Sequence, residues 1–204
     1  MAPTATRLVP DIDRFLKAPP APCVVVIPPT SYLTIEGRGA PEGDAFQLAI
    51  GALYSVAYPL KIATKKSGTD YKVGALEGLW WVESPDGKAH FSWSSDRDTW
   101  HWKLLMRVPD FVTEGQVVAE RARAVKKKGG RCGDVSLERI DEGKCVQVMH
   151  VGPFSTEAAD IEAMHALIAA SGSTPRGHHH EIYLSDPRRV PPERLKTVLR
   201  QPME

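Results

Sequence analysis

The sequence predicts an α+β fold in which a β-α-β-β unit occurs twice in tandem, with pseudo-twofold symmetry between antiparallel sheets. The composition, 42% hydrophobic and 25% charged residues, is typical of a folded globular chain. The segment from Ile35 to Gly37 is followed by a loop, a long helical pattern and a later strand. The same order follows the segment from His150 to Gly152. Two such halves joined at a seam would leave a central ligand cleft.

The first half of the predicted domain spans about residues 23–110 and follows a Pro-rich extension at residues 1–22. Its four strands are predicted from β-branched or alternating residues bounded by Gly and Pro, over residues 24–27, 32–36, 73–83 and 100–108. Apolar residues spaced by four, three and four predict a helix that starts near Asp44. Pro59 should kink or end that helix.

The second half spans about residues 131–190 within a domain that ends at residue 204. A hairpin is predicted over 135–151 with its turn at Glu142, followed by a helix over 156–170. A strand over 181–184 and a last short helix over 191–199 complete this half. Between the halves, a helix is expected over 113–128, because Thr113 and Gln116 have the spacing of a capping box.

Charge and cysteine content restrict the class of function. The 26 basic and 25 acidic residues give a net charge of +1, which argues against nucleic acid as the main partner. The longest apolar stretch, from Ala45 to Ala63, is interrupted by polar residues and is expected to be a buried core helix, with no membrane partner. The first residues lack the apolar core of a signal peptide. Three cysteines without a CxxC pair favour a reduced, cytoplasmic setting, with an idle thiol favoured over a catalytic one.

Tryptophan is concentrated in one part of the chain. All five tryptophans lie between Trp80 and Trp102, on two predicted strands and the turn that joins them. If the two strands pair as a hairpin, two or three indoles come together and can stack on a flat or cationic ligand. Packing in the core is the alternative for each tryptophan, and alternation alone does not decide whether Trp80 or Trp81 faces a cleft. Glu77 places a carboxylate beside them.

A second group of polar residues lies on the predicted strand near residue 181. Glu181 and Tyr183 point to the same face, where a carboxylate can act as a general base or pair with a cationic ligand. The alternative is a surface glutamate at the start of a strand. The run from His178 to His180 cannot turn three consecutive side chains toward one ion, so no metal site is expected.

Three runs of sequence, from Tyr71 to Trp81, from Thr99 to Phe111 and from His179 to Arg189, together resemble the GyrI-like small-molecule-binding proteins. These proteins belong with the effector-binding domains of multidrug-responsive transcription regulators. The resemblance extends from about Tyr32 onward and implies a stand-alone member with a central cleft. In related domains a strand glutamate contacts cationic or polar drugs, and the motif places it at Glu181.

The resemblance also implies an activity. A similar stand-alone subfamily hydrolyses the cyclopropane ring of DNA-alkylating natural products of the yatakemycin and CC-1065 type, using an aromatic cage. Glu181 would position or deprotonate the attacking water, and Tyr183, together with Glu77, would hydrogen-bond the developing phenolate or orient that water, without a metal or organic cofactor. The residues expected to bind a flat aromatic or cationic ligand are Tyr54, Glu77, Trp80, Trp81, Trp100 and Trp102.

Two other functions are compatible with the same sequence. A non-catalytic module would bind and sequester the drug in the same cleft. An inhibitor-type protein would bind a large enzyme such as a DNA gyrase and leave the cleft motifs idle. The chain is expected to be a monomer or a weak homodimer.

Overall fold

The structure is a computed structural model that describes residues 6–7, 15–83, 89–90 and 95–204. In the turn predicted between the two tryptophan-bearing strands, residues 84–87 and Trp93 lie outside the described residues. The three α-helices are α1 (Asp44–Lys66), α2 (Glu114–Lys128) and α3 (Ala158–Ala170). The strands are β1 (Thr6–Arg7), β2 (Cys23–Ile27), β3 (Thr30–Arg38), β4 (Thr69–Asp70), β5 (Leu76–Glu83), β6 (Ala89–His90), β7 (His101–Arg107), β8 (Ser136–Ile140), β9 (Gly143–Val151), β10 (His179–Tyr183) and β11 (Lys196–Pro202).

One antiparallel sheet organises the fold. Its eight main strands follow the order β2-β9-β11-β10-β5-β7-β3-β8, and β6 pairs with β5 beside this path. In the first half β7 lies between β3 and β5, and in the second half β11 lies between β9 and β10. The halves meet where β5 pairs with β10. The mixed helix and strand fold is thus observed, whereas the pseudo-twofold relation between the halves stays a prediction.

Two short connections require this sheet to curl into a half-barrel. Only Pro28 and Pro29 join β2, at one edge, to β3, which is second from the opposite edge. Asp141 and Glu142 likewise join β8, at one edge, to β9 near the other. Because two residues span only about 7 Å, the two edges must approach each other.

The outer face of the curled sheet is covered by helices in two separate places. Helix α1 packs on β3 and β7, and its buried residues join the larger hydrophobic cluster with Trp102 and Leu104. Helix α3 packs on β9 and β11, where Met164 and Ile168 meet Val148. The two central strands, β5 and β10, lie between these two covered regions.

The inner face of the sheet holds a buried group of charged residues, which we call the inner charge cluster: Glu77, Glu142, His180 and Arg200. His180 lies between two carboxylates, with Nδ1 2.8 Å from Glu142 and Nε2 3.0 Å from Glu77. Arg200 donates to Glu142 at 2.8 Å and to the Phe15 carbonyl at 3.1 Å. With His180 protonated, the formal charges of the cluster cancel.

Several predicted elements differ from the structure. The hairpin predicted over 135–151 is wrong, because β8 pairs with β3 while β9 pairs with β11 and β2. The short helix predicted over 191–199 is wrong as well, since residues from Lys196 onward form the buried strand β11. Pro59 does not end α1, which continues to Lys66. The capping box of Thr113 and Gln116 at the start of α2 is confirmed.

Helix α1 is long and apolar enough to cross a membrane by length and composition alone. Its buried residues, which include Phe46, Leu53 and Leu60, pack against the sheet in the largest hydrophobic cluster. An apolar helix of this length is therefore explained by its place in the core of the domain.

Candidate functional site

A cavity of about 420 Å³ lies on the outer face of the sheet at the junction of β5 and β10. This volume is within the usual range for small-molecule sites. The cavity forms where α1 and α3 leave the central strands uncovered, and the loop after β10 forms its rim. The lining residues are Pro41, Phe46, Gln47, Ile50, Tyr54, Ala75, Leu76, Trp80, Arg97, Trp100, Phe154, Glu181, Tyr183, Leu184, Ser185, Asp186, Pro187 and Arg188.

Strand register places the polar and aromatic residues of the site on one face. Glu181 is opposite Gly78, and Tyr183 is opposite Leu76. Because directly opposed residues of an antiparallel pair share a face, Trp80, two residues beyond Gly78, points the same way. The register therefore decides that Trp80 of the two neighbouring tryptophans reaches the cavity.

The polar end of the cavity is a chain of hydrogen bonds. The Trp80 indole N–H donates to the Tyr183 hydroxyl at 3.0 Å, and that hydroxyl donates to Glu181 Oε2 at 2.7 Å. Burial, followed by the negative charge of Glu181, raises the pKa of Tyr183 well above its usual range, so Tyr183 keeps its proton. Glu181 itself is only 4% exposed. The arrangement holds one carboxylate in a fixed orientation at an apolar wall.

The apolar wall is built from rings that pack on one another. Trp80 stacks on Phe46 with ring centroids 5.4 Å apart and meets Trp100 edge-on at 5.8 Å. Phe154 contacts Tyr183 edge-on at 5.8 Å. Mutual packing fixes these rings, which gives a flat ligand a preformed surface to stack on.

The rim of the cavity carries two ion pairs. The Arg97 guanidinium lies 5.3 Å from the centre of the Trp100 ring and forms an ion pair with Glu42 at 3.0 Å. Arg188 is held by Asp186 through two hydrogen bonds of 2.9 and 3.0 Å. The cavity therefore has a carboxylate at one side and guanidinium groups at its mouth, so it can orient a polar ligand.

Gly78 leaves the space that Trp80 and Tyr183 occupy. A Cβ at this position would lie 2.9 Å from Trp80 Nε1 and 3.1 Å from the Tyr183 hydroxyl. We expect Gly78→Ala to separate the indole from the hydroxyl, to lower the free energy of unfolding by about 1–3 kcal/mol, and to weaken ligand binding. Urea denaturation and fluorescence titration measure these two effects.

The matched control for Gly78→Ala is Gly51→Ala on the exposed side of α1, where a Cβ meets nothing within 4 Å. Alanine is the better helix former, so this variant should gain about 0.5–1 kcal/mol and bind ligand as the unmodified protein does. Equal behaviour of the two variants would contradict the role assigned to Gly78.

Five of the residues that the sequence predicted for the site line the cavity together: Tyr54, Trp80, Trp100, Glu181 and Tyr183. Three others do not. Glu77 alternates to the inner face, where it is 3% exposed and contacts His180. Trp81 shares that face and stacks on His178 with ring centroids 4.3 Å apart. Alternation along β5 separates both from the cavity.

Trp102 points to the outer face but is fully buried beneath α1, so its assignment to the ligand site is also corrected. Its indole lies directly over Gly37, its partner across the β3–β7 pair, where any Cβ would come within 2.1 Å of the ring. Phe46 packs edge-on against it at 5.2 Å. Trp102 is therefore a core residue.

The three consecutive histidines have separate environments. His178 stacks on Trp81, His179 lies on the outer face with Nε2 3.5 Å from Glu181, and His180 belongs to the inner charge cluster. Within the described part of the chain, no three His, Cys, Asp or Glu side chains are placed to hold a metal ion.

Sequence reasoning missed several residues of the site. Phe46 and Ile50 were recognised only as the apolar side of a helix, and they precede Tyr54 at intervals of four residues. Phe154 follows Gly152 in a loop, and Glu157, a fully buried carboxyl group just before α3, gave no motif. Regular helical spacing could have found the first group, whereas nothing local marks the second.

Comparison with known proteins relates the chain to one family. A model of the GyrI-like small molecule binding domain matches residues 21–203. An uncharacterised conserved protein from Listeria innocua has 38% sequence identity and a TM-score of 0.85, with 94% of this chain and 96% of that chain covered. No protein of curated function matches the chain at a significant level.

Two further structures from Listeria innocua are described as hydrolases. Each is 37% identical to this chain and covers 94% of it and 96% of its own length, with TM-scores of 0.81 and 0.83. The C-terminal domain of EcmrR shares the fold at 11% identity and a TM-score of 0.56, covering 90% of this chain and 96% of that one. The family match over nearly the whole sequence and the similarity to the Listeria proteins lead to one conclusion: this chain belongs to the GyrI-like small-molecule-binding family.

Proposed function

We propose that this protein binds flat, hydrophobic xenobiotics in the cavity and hydrolyses the cyclopropane ring of DNA-alkylating natural products of the yatakemycin and CC-1065 type. The observation that carries the proposal is the buried Glu181 carboxylate, oriented by Tyr183 at an aromatic wall of Trp80, Phe46 and Trp100. The description of similar Listeria structures as hydrolases supports a hydrolytic activity in general.

The proposed reaction needs little from the protein beyond orientation and one base. The oxygen of a water molecule bonds to the cyclopropane methylene carbon, and the C–C bond to that carbon breaks. The electron pair of the broken bond enters the fused dienone ring, which becomes a phenolate. Glu181 accepts the water proton, and the phenolate then takes a proton from solvent. Restored aromaticity and released ring strain drive the step.

The cavity supplies binding as well as chemistry. A flat ring system can stack on the wall that Trp80 and Trp100 form, and Tyr54 on α1 also lines the cavity. The reacting end of the ligand would lie toward Glu181, and a polar substituent would lie toward Arg97 and Arg188. We place the reaction in the cytoplasm, in keeping with three cysteines that are free thiols.

The experiment is incubation of the purified protein with a cyclopropane-bearing alkylator, followed by mass spectrometry. A product that has gained one water molecule, formed over many turnovers, supports the proposal. The second candidate function is sequestration, which the family's description as a small-molecule-binding domain favours. Stoichiometric binding with recovery of intact ligand would select sequestration and reject hydrolysis.

A further inference from the structure

Glu157 is a carboxyl group buried beside the candidate site. It lies between the short 3₁₀ helix Phe154–Thr156 and α3, and its side chain is completely inaccessible to solvent. The Glu181 carboxyl group and the Thr197 hydroxyl lie near it. Thr197 is opposite Tyr183 in the β10–β11 pair, so all of these residues share the outer face of the sheet.

The hydrogen bonds of this group are incomplete if Glu157 is ionised. Neither of its carboxyl oxygens makes a hydrogen bond of standard geometry within the described residues, and the same holds there for Thr197 Oγ1. A carboxylate can only accept hydrogen bonds, so two adjacent carboxylates cannot satisfy each other. Burial of both charges together, with no proton between them, would be strongly unfavourable.

The other titratable groups that the structure describes near the pair contact Glu181 or Asp160. From β10, His179 lies 3.5 Å from Glu181 Oε1, and Tyr183 donates to Glu181 Oε2. From β9, His150 is 2.7 Å from Asp160, an acidic residue in the first turn of α3. Asp160 adds negative charge near Glu157.

We propose that Glu157 and Glu181 share a single proton, which Glu157 holds, and that Glu157 is a positioning residue for Glu181. The Glu157 O–H donates to Glu181. Glu181 then accepts hydrogen bonds from two donors, Tyr183 and Glu157. This inference rests on the proposed function only in assigning Glu181 as the base; the shared proton itself does not depend on turnover.

Electrostatics favours this distribution of the proton. Burial, followed by the charge of Glu181, raises the pKa of Glu157 well above its usual range. The pair then presents one negative charge to the cavity. In the proposed reaction, that charge is the group that accepts the proton of the attacking water.

The first test is the pH dependence of thermal stability in Glu157→Gln, measured without ligand. A raised pKa in the folded state gives a contribution to stability that is complete below pH 4.5, the ordinary pKa of a glutamate, and declines as pH rises toward the folded-state pKa. Glutamine keeps a donor toward Glu181 and does not titrate. We therefore expect Glu157→Gln to have a higher Tm than the unmodified protein at pH 8, with the difference vanishing near pH 4.5.

The matched control is Glu193→Gln, which removes an exposed glutamate and should leave the Tm difference independent of pH. A Tm for Glu157→Gln below that of the unmodified protein at pH 8, or a difference that does not change with pH, would overturn the shared proton. If Glu157 only filled space, the Tm difference would not change with pH.

A second measurement needs no destabilising variant. Infrared spectra of the protein labelled with ¹³C-glutamate should show one protonated carboxyl band at pH 7. We expect the band to be absent in Glu157→Gln and present in Glu193→Gln. Absence of the band from the unmodified protein at pH 7 overturns the inference. If the band and the Tm pattern are observed but no alkylator is hydrolysed, the shared proton stands and the proposed function fails.

Discussion

Replacement of Glu181 by glutamine is expected to slow ring opening by about 10²–10⁴-fold, the usual contribution of a general base. Glutamine has nearly the same shape as glutamate, and its carbonyl oxygen still accepts the Tyr183 hydrogen bond. The carboxamide cannot take a proton from water. The affinity for a neutral ligand should therefore change much less than the rate of hydrolysis.

Two measurements separate these effects. Single-turnover formation of the hydrated product gives the rate of the chemical step, and quenching of the fluorescence of Trp80 and Trp100 gives the affinity. Glu193→Gln, in which an exposed glutamate far along the chain is changed in the same way, should match the unmodified protein in both. An undiminished rate in Glu181→Gln would remove Glu181 as the proposed base.

The sequence predicted the helices of this fold better than the pairing of its strands. Periodicity marked α1, and the capping box of Thr113 marked the start of α2, because both signals are local. The turn signal at Glu142 predicted a hairpin of β8 with β9. The curl of the sheet instead brings β8 beside β3, more than 90 residues earlier, and no local pattern encodes that contact.

In the candidate site, too, local sequence patterns predicted part of the arrangement, and long-range strand pairing decided the rest. Alternation along β10 correctly placed Glu181 and Tyr183 on one face, but it could not show whether that face was turned toward a cavity. The register of β5 against β10 decided that Trp80 points to the cavity and Glu77 away from it. Glu157 was missed because its importance comes from burial against Glu181, which lies 24 positions further along the chain.

Removal of a single charged member of the inner charge cluster is expected to lower the stability of the fold strongly. Arg200 and Glu142 are 2% and 5% exposed, and Glu142 is bonded by both Arg200 and His180. We expect Arg200→Met to lower the free energy of unfolding by about 3–5 kcal/mol, because it leaves the cluster with an uncompensated buried negative charge. Urea denaturation at pH 6 measures this loss.

A double variant separates the loss of charge balance from the loss of packing. Arg200→Met combined with Glu142→Leu removes one charge of each sign, so the cluster returns to zero net charge with His180 still paired to Glu77. The double variant should recover most of the stability lost by the single variant. Arg139→Met, which breaks an exposed ion pair with Asp110, should show a loss within experimental error.

The pKa shifts of Glu142 and His180 determine how the free energy of unfolding depends on pH. Burial opposes ionisation of Glu142, but the charges of His180 and Arg200 prevail and lower its pKa to about 2. The contribution of Glu142 to stability is therefore present above pH 4.5 and is lost as the pH falls through about 2. Burial likewise opposes the charge of His180, but Glu142 and Glu77 raise its pKa to about 9.

The contribution of His180 to stability is complete below pH 6.5 and is lost as the pH rises through about 9. The difference in unfolding free energy between the unmodified protein and the Arg200→Met, Glu142→Leu double variant should therefore be greatest between about pH 4.5 and 6.5 and should decrease on both sides. A difference that is constant from pH 3 to pH 9 would contradict this account, because it would mean that the buried charges do not govern the stability of the inner face.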